Sequence, residues 1–168
     1  MKEKNAFKLN GYAAVLIITI LIVAAAVTFL YSEAFIVKFA VPVLLLVAAL
    51  LLASGLTIVS PNESRVITFF GTYVGVIRTQ GLWMTVPLSL KSAISLRVVN
   101  FNSDKLKVND LEGNPIEIAA VIVYKVADSA KATFDVERYE KFVAIQSETG
   151  IRHIASQYAY DHFEKDTD

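Results

Sequence analysis

The sequence predicts an α+β membrane protein: a two-helix transmembrane hairpin followed by an antiparallel sheet with packed helices. Three observations predict it. Two long runs without a charged residue, Leu9 to Ser32 and Phe39 to Asn62, stand close together near the N-terminus. From Pro61 onward the composition becomes that of a soluble domain, with 12 basic and 14 acidic side chains. In that part short β-type runs come first and helical periodicity comes last, the order of an α+β domain.

The apolar runs come first. A helix rises about 1.5 Å per residue and a bilayer core is about 30 Å thick, so roughly 20 residues cross it. Helices are predicted over about 10–31 and 39–59, with residues 1–60 forming a tail and two spans and residues 61–168 a cytoplasmic domain. Only Ser32 to Lys38 separate the runs, which makes a hairpin with both ends on one side. The tail carries Lys2, Lys4 and Lys8, the turn carries Lys38, and Arg65 and Arg78 follow the second run. Lysine and arginine near span ends favour the cytoplasm, so both termini are expected there and the turn outside. A cleaved signal peptide is the rival reading of the first run, which opens with lysines and contains Ala24, Ala25 and Ala26, but the run is long for that role. Cleavage would leave the side assignment of the domain unchanged.

Composition narrows the function. Net charge is zero with both signs interspersed, which gives no electrostatic footprint for nucleic acid. The absence of cysteine excludes disulfides, thiolate nucleophiles and zinc–thiolate sites. Neither predicted span holds Asp, Glu, Lys, Arg or His, and transport or proton relay ordinarily needs one. Ala49 and Ala53 form one small-xxx-small pair at which the helices could approach closely. Pro42 falls in the first turn of the second predicted helix, where a missing N–H costs little.

After Pro61 the pattern is that of strands and turns. Ser64–Phe70 is β-branched and aromatic, Gly71-Thr72 breaks it, and Tyr73–Arg78 returns as its hairpin partner. Gly81–Pro87, with the only tryptophan, reads as an apolar loop. Ala93–Phe101 and Lys105–Asn109 read as strands, and Asp110–Pro115 as a turn. Ile116–Val126 is the clearest strand, with Ile116, Ile118, Ala120, Ile122, Tyr124 and Val126 on one face. Ala119, Val121 and Val123 make its other face apolar too, so both sides are expected to be covered. Asp128 then caps a short helix, and residues 135–160 read as a longer one with Phe142, Val143, Ile145, Ile151, Ile154, Ala155 and Tyr158 tending to one side. Gly150 weakens that helix. The polar end after Tyr160 brings no completing element, which suggests a partial protein.

Chemistry-bearing groups are few. His153 and His162, with Glu148, Asp161 and Glu164 nearby, lack the i, i+4 spacing that puts two ligands on one helix face. Ser147, His153 and Asp161 supply the residue types of a hydrolase triad without a nucleophile elbow or an oxyanion loop. Gly71, Gly75, Gly81 and Gly113 are scattered among turns and form no phosphate cradle. No catalytic, cofactor-binding or metal-binding residue is assigned, and no cofactor is expected. Trp83 and Met84, with Leu82 and Val86, either rest in the membrane interface or plug the core of the sheet.

The runs Pro61-Asn62-Glu63-Ser64-Arg65-Val66-Ile67, Phe69-Phe70-Gly71-Thr72-Tyr73, Gly81-Leu82-Trp83 and Val86-Pro87 together resemble the opening of SPFH (band 7) domains, the family of stomatins, prohibitins and flotillins. Leu106–Asp110, Gly113-Asn114-Pro115 and Tyr124–Asp128 resemble its next block. The double span is similar to a bacterial subgroup with a two-helix anchor. The resemblance implies an SPFH-type fold and a non-enzymatic, membrane-anchored scaffold. Such a scaffold forms homo-oligomers, organises a membrane microdomain, and has lipid and a membrane protease or other membrane protein as partners. The coiled-coil stretch of the family would follow where this chain ends. The alternative is an accessory subunit, or the membrane-bound form, of an enzyme whose catalytic part lies beyond residue 168.

Overall fold

The computed structural model describes residues 3–160. In chain order the elements are β1 (Leu9–Asn10), α1 (Gly11–Tyr31), α2 (Phe35–Ser54), β2 (Leu56–Val59), β3 (Glu63–Phe69), β4 (Thr72–Ile77), β5 (Gly81–Met84), β6 (Leu90–Ser95), β7 (Val99–Asn102), β8 (Leu106–Asn109), β9 (Pro115–Ile118), β10 (Val121–Tyr124), α3 (Ser129–Phe134) and α4 (Tyr139–Ala155). The architecture is α+β, with antiparallel strand pairing throughout the named strands. The chain divides into two compact units. The first holds the residues up to Leu96 together with Ala127–Asp135, and the second holds Arg97–Val126 and the residues from Val136 onward.

In the first unit α1 and α2 pack side by side, and each is long and apolar enough to cross a membrane. Their seam is made of small residues. Ala14 and Ala25 are buried on α1, and Pro42 and Ala49 on α2, while Ala53 is half-buried. Small side chains let the two backbones approach, the device by which apolar helices associate without a hydrophobic driving force. The turn is shorter than expected. α2 begins at Phe35, because lysine does not stop a helix and Lys38 simply sits in its first turns, with its ammonium 5.8 Å from the centre of the Phe29 ring. Pro42 therefore lies inside the helix and not in its first turn. Its ring leaves the Lys38 carbonyl without the usual N–H partner. α2 also stops sooner, at Ser54, and Leu56–Val59 is a strand.

The strands of this unit form two sheets, ordered β1-β5-β2 and β4-β3-β6. β3 and β4 make the expected hairpin through the two-residue turn Phe70-Gly71, both in the left-handed region at φ 44° and 81°. That geometry matches the twist of the flanking strands. The β3–β4 pair is buried on both faces. Ile67 and Ile77 pack with Ala6, Val59 and Trp83 on one side. Val66 and Val76 pack with Ala130 of α3 on the other. Asp128 caps α3 as expected, its side chain accepting from the Lys131 N–H. Two expected elements differ. Gly81–Pro87 is a loop only from Thr85 on, since Gly81–Met84 is the central strand of its sheet. Ala93–Phe101 is interrupted at Leu96–Val98, and its halves join different sheets in different units.

The second unit pairs β8 with β9 and β10 with β7, and lays α4 on β8. Its core is Leu106, Val108 and Ala155, with Ile116, Ile118 and Ile151 packed around them. The long strand predicted over Ile116–Val126 is two strands that change partner at Ala119-Ala120, where Ala120 and Ser103 exchange hydrogen bonds. Only one face of β10 is covered: Ile122 and Tyr124 are half-buried, and Val121 and Val123 are exposed. β-branched residues satisfy strand geometry whether or not a face is buried, so composition overstated the cover. The Asp110–Asn114 turn is built around the Asp110 carboxylate. It accepts from the backbone N–H groups of Glu112 and Asn114 at 2.9 and 2.7 Å, from the Asn114 amide at 3.2 Å, and from the Tyr160 N–H at 3.3 Å. Burial alone would raise its pKa, but these donors outweigh burial and hold it below the ordinary carboxylate value.

Candidate membrane-anchoring site

The place where the hairpin meets the sheets is built from both ends of the hairpin at once. β5 is the central strand of its sheet, and its two neighbours are the segments that enter and leave the helices. Leu9 and Asn10, just before α1, pair with Met84 and Trp83. Leu56 to Val59, just after α2, pair with Met84 to Gly81 on the opposite edge. A hairpin whose two ends are strands of one sheet cannot tilt without breaking that sheet.

Period two sorts the side chains of this sheet onto two faces. Trp83 and Val59 turn inward, and Trp83 packs on the core while its indole N–H donates to the Thr79 carbonyl at 2.9 Å. The Lys8 ammonium lies 4.5 Å from the centre of the Trp83 ring and donates to the Thr79 hydroxyl. Of the two readings open to Trp83, the structure gives it core partners. The other face carries Leu9, Leu56, Ile58, Leu82 and Met84, with Leu9 and Ile58 more than half exposed. Leu82 abuts the start of α1 so closely that a Cβ on Gly11 would stand 2.5 Å from its Cγ. At the end of α2 a Cβ on Gly55 would stand 2.7 Å from the Thr85 carbonyl oxygen. A glycine at each helix end is what lets the backbone of β5 and its following loop touch both.

Polar groups complete the junction. Thr85 binds the Gly55 carbonyl twice, through its N–H at 2.9 Å and its hydroxyl at 3.0 Å. The Lys91 ammonium reaches back from β6 to the Ser54 carbonyl and, at 3.3 Å, to that of Leu56. A cation at a helix C-terminus meets the carbonyls that lack an intrahelical partner and the negative end of the dipole. Burial pushes the Lys91 pKa down.

The N-terminal residues, grouped by the sequence with the anchor as a tail, are part of the first unit's packing. The Ala6 N–H donates to the Val76 carbonyl at 3.1 Å, and the Val76 N–H to the Lys4 carbonyl at 2.8 Å. Ala6 is buried in the core. Glu3 pairs with Arg78 at 2.7 Å, and its other oxygen accepts from the Ser129 N–H at 3.1 Å. Arg78 also donates to the Ala127 carbonyl, and the Ser129 hydroxyl bonds that of Ser64 at 2.8 Å in the interior. Gly75 makes room for this segment, since a Cβ there would stand 2.6 Å from the Ala6 nitrogen.

The chemical candidates do not assemble. His153 lies exposed on α4, its Nε2 3.2 Å from the amide nitrogen of Gln157, and Ser147 lies on the same helix. Asp161, His162 and Glu164 are outside the described residues. Among the described residues no group of three His, Cys, Asp or Glu is placed to hold a metal ion. Sequence reasoning missed Lys91 and the segment before Lys8.

The model of the SPFH domain / Band 7 family matches residues 57–168, about two thirds of the chain. An uncharacterized protein of Archaeoglobus fulgidus is 33% identical over 119 residues, which is 70% of this chain and 47% of that protein. A stomatin homolog of Pyrococcus horikoshii is 28% identical over 131 residues, 77% of this chain and 49% of its own length. A stomatin homolog of Pyrococcus abyssi is 28% identical over 131 residues, with 77% and 48% covered. The chain spans about half the length of these curated relatives. The runs that carry the sequence resemblance, from Pro61 to Pro87 and from Leu106 to Asp128, all fall inside the matched region. The chain belongs to the SPFH (band 7) family.

Proposed function

We propose that this protein is a membrane-anchored, homo-oligomeric scaffold that organises a membrane microdomain and there engages a membrane-protein partner, a membrane protease being the class we favour. In this reading α1 and α2 span the cell membrane as a hairpin, and both chain termini lie in the cytoplasm with the SPFH domain. The observation that carries it is the three-stranded sheet β1-β5-β2, which joins both ends of the apolar hairpin to one domain. A domain tied twice to its anchor holds a fixed attitude to the bilayer. Copies lying in one plane with one attitude need only weak lateral contacts to associate, because the membrane supplies effective concentration. Lys4 and Lys8 on the domain side of the hairpin, against Lys38 near the turn, support the assignment of sides. No chemistry is assigned to the protein itself.

The test is particle mass after extraction in mild detergent. Large particles support assembly through this chain. Particles of single-copy mass sink the scaffold reading, and an accessory subunit of a membrane enzyme becomes the better account.

A further inference from the structure

The edge strand β4 has β3 on one side and, on the other, residues 3–6 of its own chain. Val76 gives both backbone groups to that segment. It accepts from the Ala6 N–H at 3.1 Å and donates to the Lys4 carbonyl at 2.8 Å, so that Asn5 stands opposite it in a parallel bridge. Two side chains of the segment then enter fixed places. Both Glu3 carboxylate oxygens accept from the Arg78 guanidinium, at 2.7 and 2.9 Å, and one also accepts from the Ser129 N–H at 3.1 Å. This is the planar two-bond match of arginine with a carboxylate. Three residues on, Ala6 is buried with Val59, Ile67 and Ile77, and Val74 and Trp83 pack beside them. A sheet edge that holds an extended segment by main-chain hydrogen bonds, with separate places for its side chains, has the form of a β-augmentation site.

The segment is held lightly, by two backbone hydrogen bonds, a partly exposed ion pair and one methyl group, whereas β3 pairs with β4 along its length. Segments held in this way open while the rest of a domain stays folded. We propose that the β4 edge is a binding site for an extended segment of another protein, kept closed by the chain's own residues 3–6. The occupant runs parallel to β4 and carries a glutamate three residues before an alanine. Its chemistry is read from the two places: Arg78 and the Ser129 N–H call for a carboxylate, and the wall of Val59, Ile67 and Ile77 leaves room for a methyl group. A second copy cannot lend the same residues. Leu9 is tied to Met84 in its own sheet, and the three residues from Ala6 to Leu9 reach only about 10 Å when fully extended. A copy reaching farther would have to give up β1, so the occupant is a different protein. The site does not depend on assembly of the scaffold.

The test titrates the full chain in detergent with a fluorescein-labelled peptide of residues 1–8 and reads binding by anisotropy. The double variant Glu3→Lys and Ala6→Asp spoils the segment's own contacts and keeps every residue of the groove. The expected result is binding to this variant about 30-fold tighter than to the wild-type chain, because a closed site binds in proportion to its open fraction. A peptide carrying Glu3→Gln should bind the variant about threefold more weakly, the worth of a partly exposed ion pair. A peptide carrying Ala6→Phe should not bind, since the groove holds only a methyl group there. Equal affinity for the two chains overturns the closure by residues 3–6. No binding to the variant, with amide exchange at Ile67 still protected, overturns the site itself, and so does binding indifferent to both peptide substitutions. Should the variant lose the protection of Ile67, Arg78→Glu takes its place. It repels Glu3 of its own chain and should take a peptide carrying Glu3→Lys in preference to the acidic one; no preference between the two overturns the proposal.

Discussion

Replacing Gly75 by alanine is expected to lift the N-terminal segment off the first unit. The added Cβ would stand 2.6 Å from the Ala6 nitrogen, 2.7 Å from its Cα and 2.8 Å from the Lys4 carbonyl oxygen. All three are backbone atoms, so no rotamer change can relieve the contact. Moving residues 4–6 away breaks the Ala6–Val76 and Val76–Lys4 hydrogen bonds, worth about 1 kcal/mol each. It also frees the partly exposed Glu3–Arg78 pair, worth from nothing to about 1 kcal/mol. Uncovering the alanine side chain of Ala6 adds a fraction of a kcal/mol at about 25 cal/mol per Å². The total, about 2–3 kcal/mol, corresponds to a 30- to 150-fold rise in the open population at roughly 1.4 kcal/mol per decade. Amide hydrogen exchange in detergent checks it. Protection at Ala6 and Val76 should fall by that factor while Ile67 keeps its own. Unchanged protection at Ala6 and Val76 would refute the docking of this segment.

Gly150 lies within α4 with open space where a Cβ would go, so Gly150→Ala should stabilise the second unit by about 0.5–1 kcal/mol, read as a higher denaturation midpoint. Lys91→Met should destabilise the first unit by about 1–3 kcal/mol, because the carbonyls of Ser54 and Leu56 lose a charged donor; thermal unfolding in detergent measures it, and an unchanged midpoint refutes the cap. The lowered pKa of Asp110 sets a pH dependence of known sign. Its stabilisation is fully present above the carboxylate's unfolded value and is lost as pH falls through the lower folded value. Acid titration of the wild-type chain should therefore expose the Glu112 and Asn114 amides to exchange at the low end, and Asp110→Asn should flatten that response.

The hairpin, the β3–β4 pair and the capped α3 were legible because each is encoded locally. Apolar length, a turn glycine at Gly71 between β-branched runs and an aspartate before a helical stretch act within a few residues of one another, although the turn is Phe70-Gly71 and not the expected Gly71-Thr72. The misreadings have a common cause in non-local pairing. Gly81–Met84 reads as a loop because Trp83 and Met84 break simple alternation, yet two partners, one before α1 and one after α2, hold it as a central strand. Ile116–Val126 reads as one strand because nothing local marks the change of partner at Ala119-Ala120. Leu56–Val59 reads as helix because an apolar segment satisfies either state, and Gly55 with the Thr85 backbone decides between them.

The junction was hidden for the same reason, and its logic follows from the topology. One strand after α2 would anchor the domain through a single covalent hinge at Gly55, about which it could swing. Adding β1 to the opposite edge of β5 makes the two hairpin ends neighbours of one strand, so that rotation at either end must break the ladder at the other. The small-residue seam carries that constraint along the hairpin, since Ala14, Ala25 and Ala49 keep the helices in contact. Lys91 and Thr85 lock the exit of α2, and Gly11 against Leu82 locks the entry of α1. A weakened seam would therefore be felt in the sheet. Ala49→Leu, which overfills the contact between α1 and α2, is expected to reduce exchange protection at Leu56 and Thr57 more than at Val108 in the other unit, and equal loss at both would show that the hairpin and the sheet are not coupled.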